Sequence, residues 1–137
     1  MTQIEILERF FQFLGEGRID EWASLLDANV VASTPFSPKG SDTEFCGIAE
    51  VRARFGDARI RMSALRFLDI DIQGLNSPNR YVVTCRSEGA FAAGVEYKNN
   101  YCWLFRLDAD HICEWVEYFD PQEVVAVRTA LMEKGAD

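Results

Sequence analysis

The chain has little of what most metal sites and nucleophilic hydrolases are built from. Its 137 residues include one histidine, His111, so multi-histidine metal centres are excluded and a Ser-His-Asp or Cys-His arrangement has a single candidate base. Its four cysteines, Cys46, Cys85, Cys102 and Cys113, nowhere show C-x-x-C spacing, which argues against a zinc knuckle or a thioredoxin-like redox pair. No G-x-G-x-x-G or Walker phosphate loop is present, so nucleotide cofactors lose their usual support; neither cofactor nor metal is expected. No apolar run approaches the roughly 18 residues of a membrane span. The start, MTQIEILERF, has no basic stretch and mixes acids with its apolar residues, unlike a signal peptide. A cytoplasmic protein is expected, with free thiols in a reducing compartment rather than the two disulfides that four cysteines could form. Positive charge is scarce too. Fourteen Lys and Arg against 22 Asp and Glu leave a net charge of −8, which disfavours nucleic acid or an anionic membrane as partner.

Apolar residues make up 48% of the chain and aromatics 12%, with ten Phe and three Trp, enough for one aromatic-rich core. One domain over residues 1–137 is expected. Thr2-Gln3-Ile4-Glu5 reads as a capping box, followed by Ile4, Leu7, Phe11 and Leu14 at helical spacing with Phe10 widening the stripe. Gly15 and Gly17 end that helix. Asp20 can cap a second, with Trp22, Leu25 and Leu26 on one face. Asn29 to Phe36 reads as a strand, Ser37 to Phe45 as a loop, and a third helix with Ile48, Val51 and Phe55 follows Gly47. From Ser63 the period falls to two, giving strands from Ser63, over Tyr81–Glu88, Val95–Leu107 and Ile112–Phe119. Asp120-Pro121-Gln122-Glu123 opens a terminal helix. This order implies an α+β domain, a curved antiparallel sheet wrapped around the N-terminal helices. Both faces of the long strands carry large apolar residues, one for the helices and the other suited to a second subunit.

The last two strands carry the candidate chemistry. A turn at Asp108-Ala109-Asp110 pairs Leu107 with His111, Phe105 with Cys113, Trp103 with Trp115, Tyr101 with Glu117 and Asn99 with Phe119, all on one face. Glu117 is then a lone carboxyl in an aromatic wall, beside a phenol and an amide. Burial there would raise its pKa toward neutrality and suit it to general acid or base work, or it is an edge acid paired with an Arg. Asn99 and Tyr101 could orient a substrate; Trp103, Trp115, Phe119, Trp22 and Phe55 complete the expected lining. Arg86 and Glu88 share a strand face and could meet Glu117 as an acid-Arg-acid group. The run Arg52, Arg54, Arg59, Arg61, Arg66 reads as a solvated rim. Asp120 reads as a helix cap and His111 as a solvated turn residue.

The spacing Tyr97-x-Asn99-x-Tyr101-x-x-x-Phe105, the acidic turn, Ile112 and the run Glu117-Tyr118-Phe119-Asp120-Pro121 resemble the SnoaL-like branch of the nuclear transport factor 2-like superfamily. The helix-Gly-helix start and the Phe45-Cys46-Gly47-Ile48 lead-in to the third helix do so as well. The resemblance implies a cone-shaped α+β barrel, a homodimer through the sheet and a deep pocket for a hydrophobic small molecule. Ketosteroid isomerases of this fold use a base Asp and an oxyanion hole of Tyr and protonated Asp, which fall here at Ala32, Phe10 and Trp103, so their chemistry is not implied. Limonene-epoxide hydrolases use an acid-Arg-acid group that falls at Glu117, Arg86 and Glu88, with Val31 and Ser33 where they place Tyr and Asn. Phenazine-biosynthesis A/B proteins carry an acid on the last strand that Glu117 matches. Val116 replaces the basic residue before it, and their pocket His has no counterpart.

Overall fold

In the computed structural model, which describes residues 1–135, the capping box forms as expected. Thr2 Oγ1 accepts from Glu5 N and Glu5 Oε1 accepts from Thr2 N, both at 3.1 Å, opening helix α1 (Gln3–Glu16). Gly17, at φ 73°, ends it in the left-handed conformation that a side chain would resist. Ile6, Leu7, Phe10, Phe11 and Leu14 form the buried stripe, whereas Ile4, expected on it, is 45% exposed. Helix α2 (Ile19–Ser24) begins before Asp20, which pairs with Arg52 instead of capping it. After strands β1 (Leu26–Ser33) and β2 (Glu44–Cys46) comes a helical stretch: α3 (Ile48–Val51), a π-helical turn over Arg52–Gly56, and α4 (Asp57–Ile60).

Four long strands follow: β3 (Met62–Gly74), β4 (Arg80–Phe91), β5 (Glu96–Asp108) and β6 (His111–Phe119). The sheet order is β2-β1-β6-β5-β4-β3, and it stays open, with β2 and β3 as edges. The consecutive strands pair antiparallel as expected, but β1 lies parallel to β6, so the sheet is mixed. The first strand runs three residues earlier than its β-branched composition suggests. Strand β2 falls where a loop is expected, because three residues are too few for an alternation to register. Asp120 caps the last helix, α5 (Pro121–Glu133), its carboxylate accepting from Gln122 N at 2.9 Å with Pro121 at the first helical position.

Two bulges set which side chains look inward. In β3 an extra residue near Asp69, at φ 54°, breaks the period, so Leu65 and Phe67 face the helices before the bulge and Ile72 after it. In β6 the extra residue is Cys113. Arg106 pairs with Glu114 and Leu107 with Ile112, while the turn itself is only Ala109-Asp110, closed by the Asp108–His111 pair. The register expected from a three-residue turn is therefore corrected. Phe105 opposes Trp115, Trp103 opposes Glu117 and Tyr101 opposes Phe119. The two-residue turn moves the register by one and the bulge by one more; a net shift of two keeps Trp115, Glu117 and Phe119 inward, while between turn and bulge Ile112 takes the inward place expected of His111.

The core fills the closed end of the cone. Phe10 is fully buried, its ring centroid 5.1–5.6 Å from those of Phe11, Trp22, Trp103, Phe105 and Trp115, mostly edge to face.

Candidate functional site

Above that aromatic floor the sheet and helices diverge around a cavity of about 600 Å³. Strands β5 and β6 supply Tyr97, Tyr101, Trp103, Glu117 and Phe119 to its wall; β3 supplies Leu65 and Phe67. Phe55 enters from the π-helical turn, and α5 lies over one side through Val124, Val127 and Leu131. These three stand at helical spacing, a signal present in the sequence but hidden among the other apolar residues of that helix.

Glu117 is the one carboxyl among the described lining residues. Its Oε1 is shut off from solvent and has no hydrogen-bond partner. Burial pushes its pKa up to about 8, opposed in part by the positive charge of Arg54. At neutral pH it is a neutral carboxylic acid in a largely apolar chamber, so it can donate a proton.

The phenols beside it belong to a polar chain in the wall. Tyr101 Oη lies 2.9 Å from Ser87 Oγ and donates to Tyr97 Oη at 3.2 Å, while Asn99 Nδ2 donates to Tyr97 Oη at 2.8 Å. Burial holds Tyr101 well above the usual phenol range, so it remains a neutral hydrogen-bonding group. Asn99 is 3% exposed and lies outside the cavity lining. Its Oδ1 accepts from Asp120 N and Asn100 N, both at 2.8 Å, and its Nδ2 also donates to Asp120 O at 3.1 Å. A substrate role for Asn99 is therefore corrected: its amide is consumed in clamping the junction of β6 and α5.

Arg86 and Glu88 require a second correction. The inward positions of β4 belong to Cys85 and Ser87, and the acid-Arg-acid group with Glu117 does not assemble. Arg86 donates instead to Asp69 at 2.6 Å and Glu88 at 3.0 Å on the outer face, and Glu88 also accepts from Arg66 at 3.1 Å. Trp22 and Trp115 are wholly buried in the core rather than lining the cavity, whereas Tyr101, Trp103, Phe119 and Phe55 do line it. His111 opens β6 beside the turn, exposed and 3.0 Å from Asp110.

The basic run divides. Arg52 and Arg66 form outer ion pairs, but Arg54, Arg59 and Arg61 reach the cavity, joined from α5 by Arg128. Sequence reasoning left these four off the site: an arginine run that crosses a helix end carries no mark of which members turn inward, and Arg128 stands alone on a helix far along the chain. Among the described residues no three His, Cys, Asp or Glu side chains gather as metal ligands, and no helix is long and apolar enough to cross a membrane.

Set beside known proteins, residues 7–115 match the SnoaL-like domain family. No curated protein matches the sequence. Among solved structures the chain is similar to a Bacillus subtilis protein whose isomerase assignment is provisional, with 21% identity, a TM-score of 0.85, and 94% of this chain and 96% of that one covered. It is also similar to a phenazine biosynthesis-related protein from Pseudomonas aeruginosa, with 16% identity, a TM-score of 0.77, and 91% and 79% covered. A Xanthomonas campestris protein provisionally assigned as a polyketide cyclase shows 16% identity, a TM-score of 0.75, and 90% and 94% covered. At these identities the likeness is one of fold.

Proposed function

The chain belongs to the SnoaL-like domain family, and on that premise we propose that its cavity takes a hydrophobic cyclic small molecule on which Glu117 acts as general acid/base. The reaction class is a proton shift or ring closure beside a carbonyl. One observation carries this reading: the only carboxyl among the described lining residues is buried, unpartnered and pushed up to about 8. The likeness to proteins described as an isomerase and a polyketide cyclase supports the same class. Volume is ample, since a cavity of about 600 Å³ falls within the usual range for a drug-sized ligand.

The chemistry follows from the protonation state. A ring ketone seated with its oxygen against the Glu117 carboxyl accepts a hydrogen bond, which makes the adjacent C–H more acidic. Transfer of the Glu117 proton to that oxygen, while a water molecule takes the α-proton, gives the enol, the Glu117 carboxylate and a hydronium ion. The hydronium ion then returns its proton to carbon, at the same or a conjugated position, as the carboxylate, a strong base in an apolar chamber, retakes the proton of the enol O–H. No redox cofactor or metal is needed for such a step. The reducing cytoplasm suits the four free thiols.

The test is α-hydrogen exchange of 2-tetralone in deuterated buffer, followed by NMR. The native protein is expected to accelerate exchange, and Glu117→Gln to lose about 100-fold or more of that acceleration. Exchange that Glu117→Gln leaves unchanged removes the catalytic assignment. Binding of the ketone with no acceleration by the native protein points instead to a carrier or sensor.

The same reading includes a homodimer through the sheet. On the outer face Val82, Leu104 and Val116 line up across β4, β5 and β6, next to the rank Thr84, Cys102 and Tyr118. Phe36, 55% exposed, lies edge to face on Tyr118 at 5.1 Å. This stripe is apolar enough to favour a partner sheet. Light scattering is expected to give twice the mass of the 15.6 kDa chain, and Leu104→Arg at the stripe's centre to give the monomer. A monomeric native protein contradicts the dimer.

A further inference from the structure

The cavity carries a charge opposite to that of the chain. Against a net charge of −8, its described lining holds four arginines, Arg54, Arg59, Arg61 and Arg128, and one carboxyl. Elsewhere Arg18, Arg52, Arg66, Arg86 and Arg106 each face a carboxylate, and Arg9 and Arg80 do not among the described residues. None of the four cavity arginines faces one among the described residues. Arg59 has a structural occupation: it donates to Leu14 O at 2.9 Å, Gly15 O at 2.8 Å and Met62 O at 3.0 Å, tying the end of α1 to the start of β3. Among the described residues Arg128 donates only to Ser41 Oγ, at 3.1 Å, and it is exposed, as is Arg61. Arg54 is half-buried, its guanidinium carbon 5.2 Å from the Phe55 ring centroid and 5.6 Å from that of Phe45, with no hydrogen bond among the described residues.

Such a guanidinium is held over aromatic rings with its donors unspent. Removing it partly from water costs free energy that the ring contacts offset only in part. A carboxylate on the ligand would restore the missing hydrogen bonds in the two-pronged geometry that arginine presents. A neutral hydrocarbon ligand would cover the half-buried Arg54 further and supply it no acceptor.

We infer that the ligand of this cavity carries an ionised acid group, a carboxylate bound by Arg54 with Arg61 and Arg128 at the rim, while its rings pack on Phe67, Trp103 and Phe119. The inference rests on the reading that the cavity binds a cyclic small molecule and narrows that class from apolar compounds to apolar ring acids. The uncharged state of Glu117 near neutral pH supports it, since no ionised carboxylate then competes inside the chamber. The acid group and the reacting carbonyl are thus recognised by different side chains.

Calorimetric titration with 2-naphthoic acid and with 2-naphthamide, at pH 6.5 and low salt, tests it. The rings are equal and only the charge differs. The native protein is expected to bind the acid at least 10-fold more tightly than the amide. Arg54→Met should bring the two affinities together with little change for the amide, and Glu117→Gln should keep the preference. Because Arg54 also packs on Phe45 and Phe55, the exposed pair Arg61→Gln/Arg128→Gln provides a second variant, expected to reduce the preference several-fold. Equal affinities in the native protein, or a full preference in Arg54→Met, overturn the inference while the cavity reading stands. Failure of both compounds to bind the native protein overturns the two together.

Discussion

Phe10→Ala is expected to destabilise the protein by about 3–5 kcal/mol and to lower its melting temperature by roughly 10 °C or more. The size follows from position. The Phe10 ring is fully buried and meets five other aromatic rings with centroids 5.1–5.6 Å away. Its loss removes both burial and edge-to-face contacts, and leaves a void that large rings cannot easily collapse to fill. Trp103 and Phe105 are stacked nearly parallel, 3° apart, and Phe10 braces both from α1. Since Trp103 is also cavity wall, the variant should bind ring ligands more weakly even where it remains folded. Glu8→Ala, exposed on the same helix, supplies the baseline and should change stability by less than about 0.5 kcal/mol. Urea unfolding of both variants reads the difference. A Phe10→Ala cost below about 1 kcal/mol would mean the closed end of the cone is not packed as described.

Stability should fall as pH rises from about 5 to about 8, and Glu117 is the cause. Its folded pKa is pushed up to about 8 by burial, against an ordinary carboxyl value of 4.5 in the unfolded chain. Between those values the folded protein keeps a proton that the unfolded chain releases. The unfolding free energy then declines with pH at up to about 1.4 kcal/mol per pH unit and levels off above about 8. The sign is opposite to that of a carboxylate held ionised by an ion pair, which loses its contribution on acidification. Glu117→Gln mimics the neutral acid and should flatten the decline, making the variant the more stable protein at pH 8–9 by a few kcal/mol. At pH 5 the two should differ little. Equal pH dependence in native and variant would place the titration on another group.

Most of the architecture was legible in the sequence because its signals are local. The Thr2–Glu5 box, the Asp120-Pro121 start and the two-residue period of β4, β5 and β6 are each contained in a few residues, and each formed. What failed depended on pairing between distant segments. The parallel contact of β1 with β6 leaves no local mark, and β2 is too short to show a period. The register of β5 on β6 depends on two features, the Ala109-Asp110 turn and the Cys113 bulge, whose shifts add to two. Glu117 therefore kept its inward face although its expected cross-strand partner, Tyr101, gave way to Trp103. Arg86 and Glu88 illustrate the limit of face arguments: residues two apart share a face, but which face is inward is set by burial of their neighbours. Here Val83, Cys85 and Ser87 took it. Asn99 was placed inward correctly and assigned the wrong task, because only the fold brings the Asp120 backbone to its amide.

The pKa of Glu117 can be read directly by carbon NMR of protein labelled at the glutamate side-chain carboxyl, the resonance identified by its loss in Glu117→Gln. The structure predicts a midpoint near 8. A Glu117 carboxyl titrating in the usual range, around 4.5, would mean that it meets water freely, and would contradict both its burial and the proton donor assigned to it.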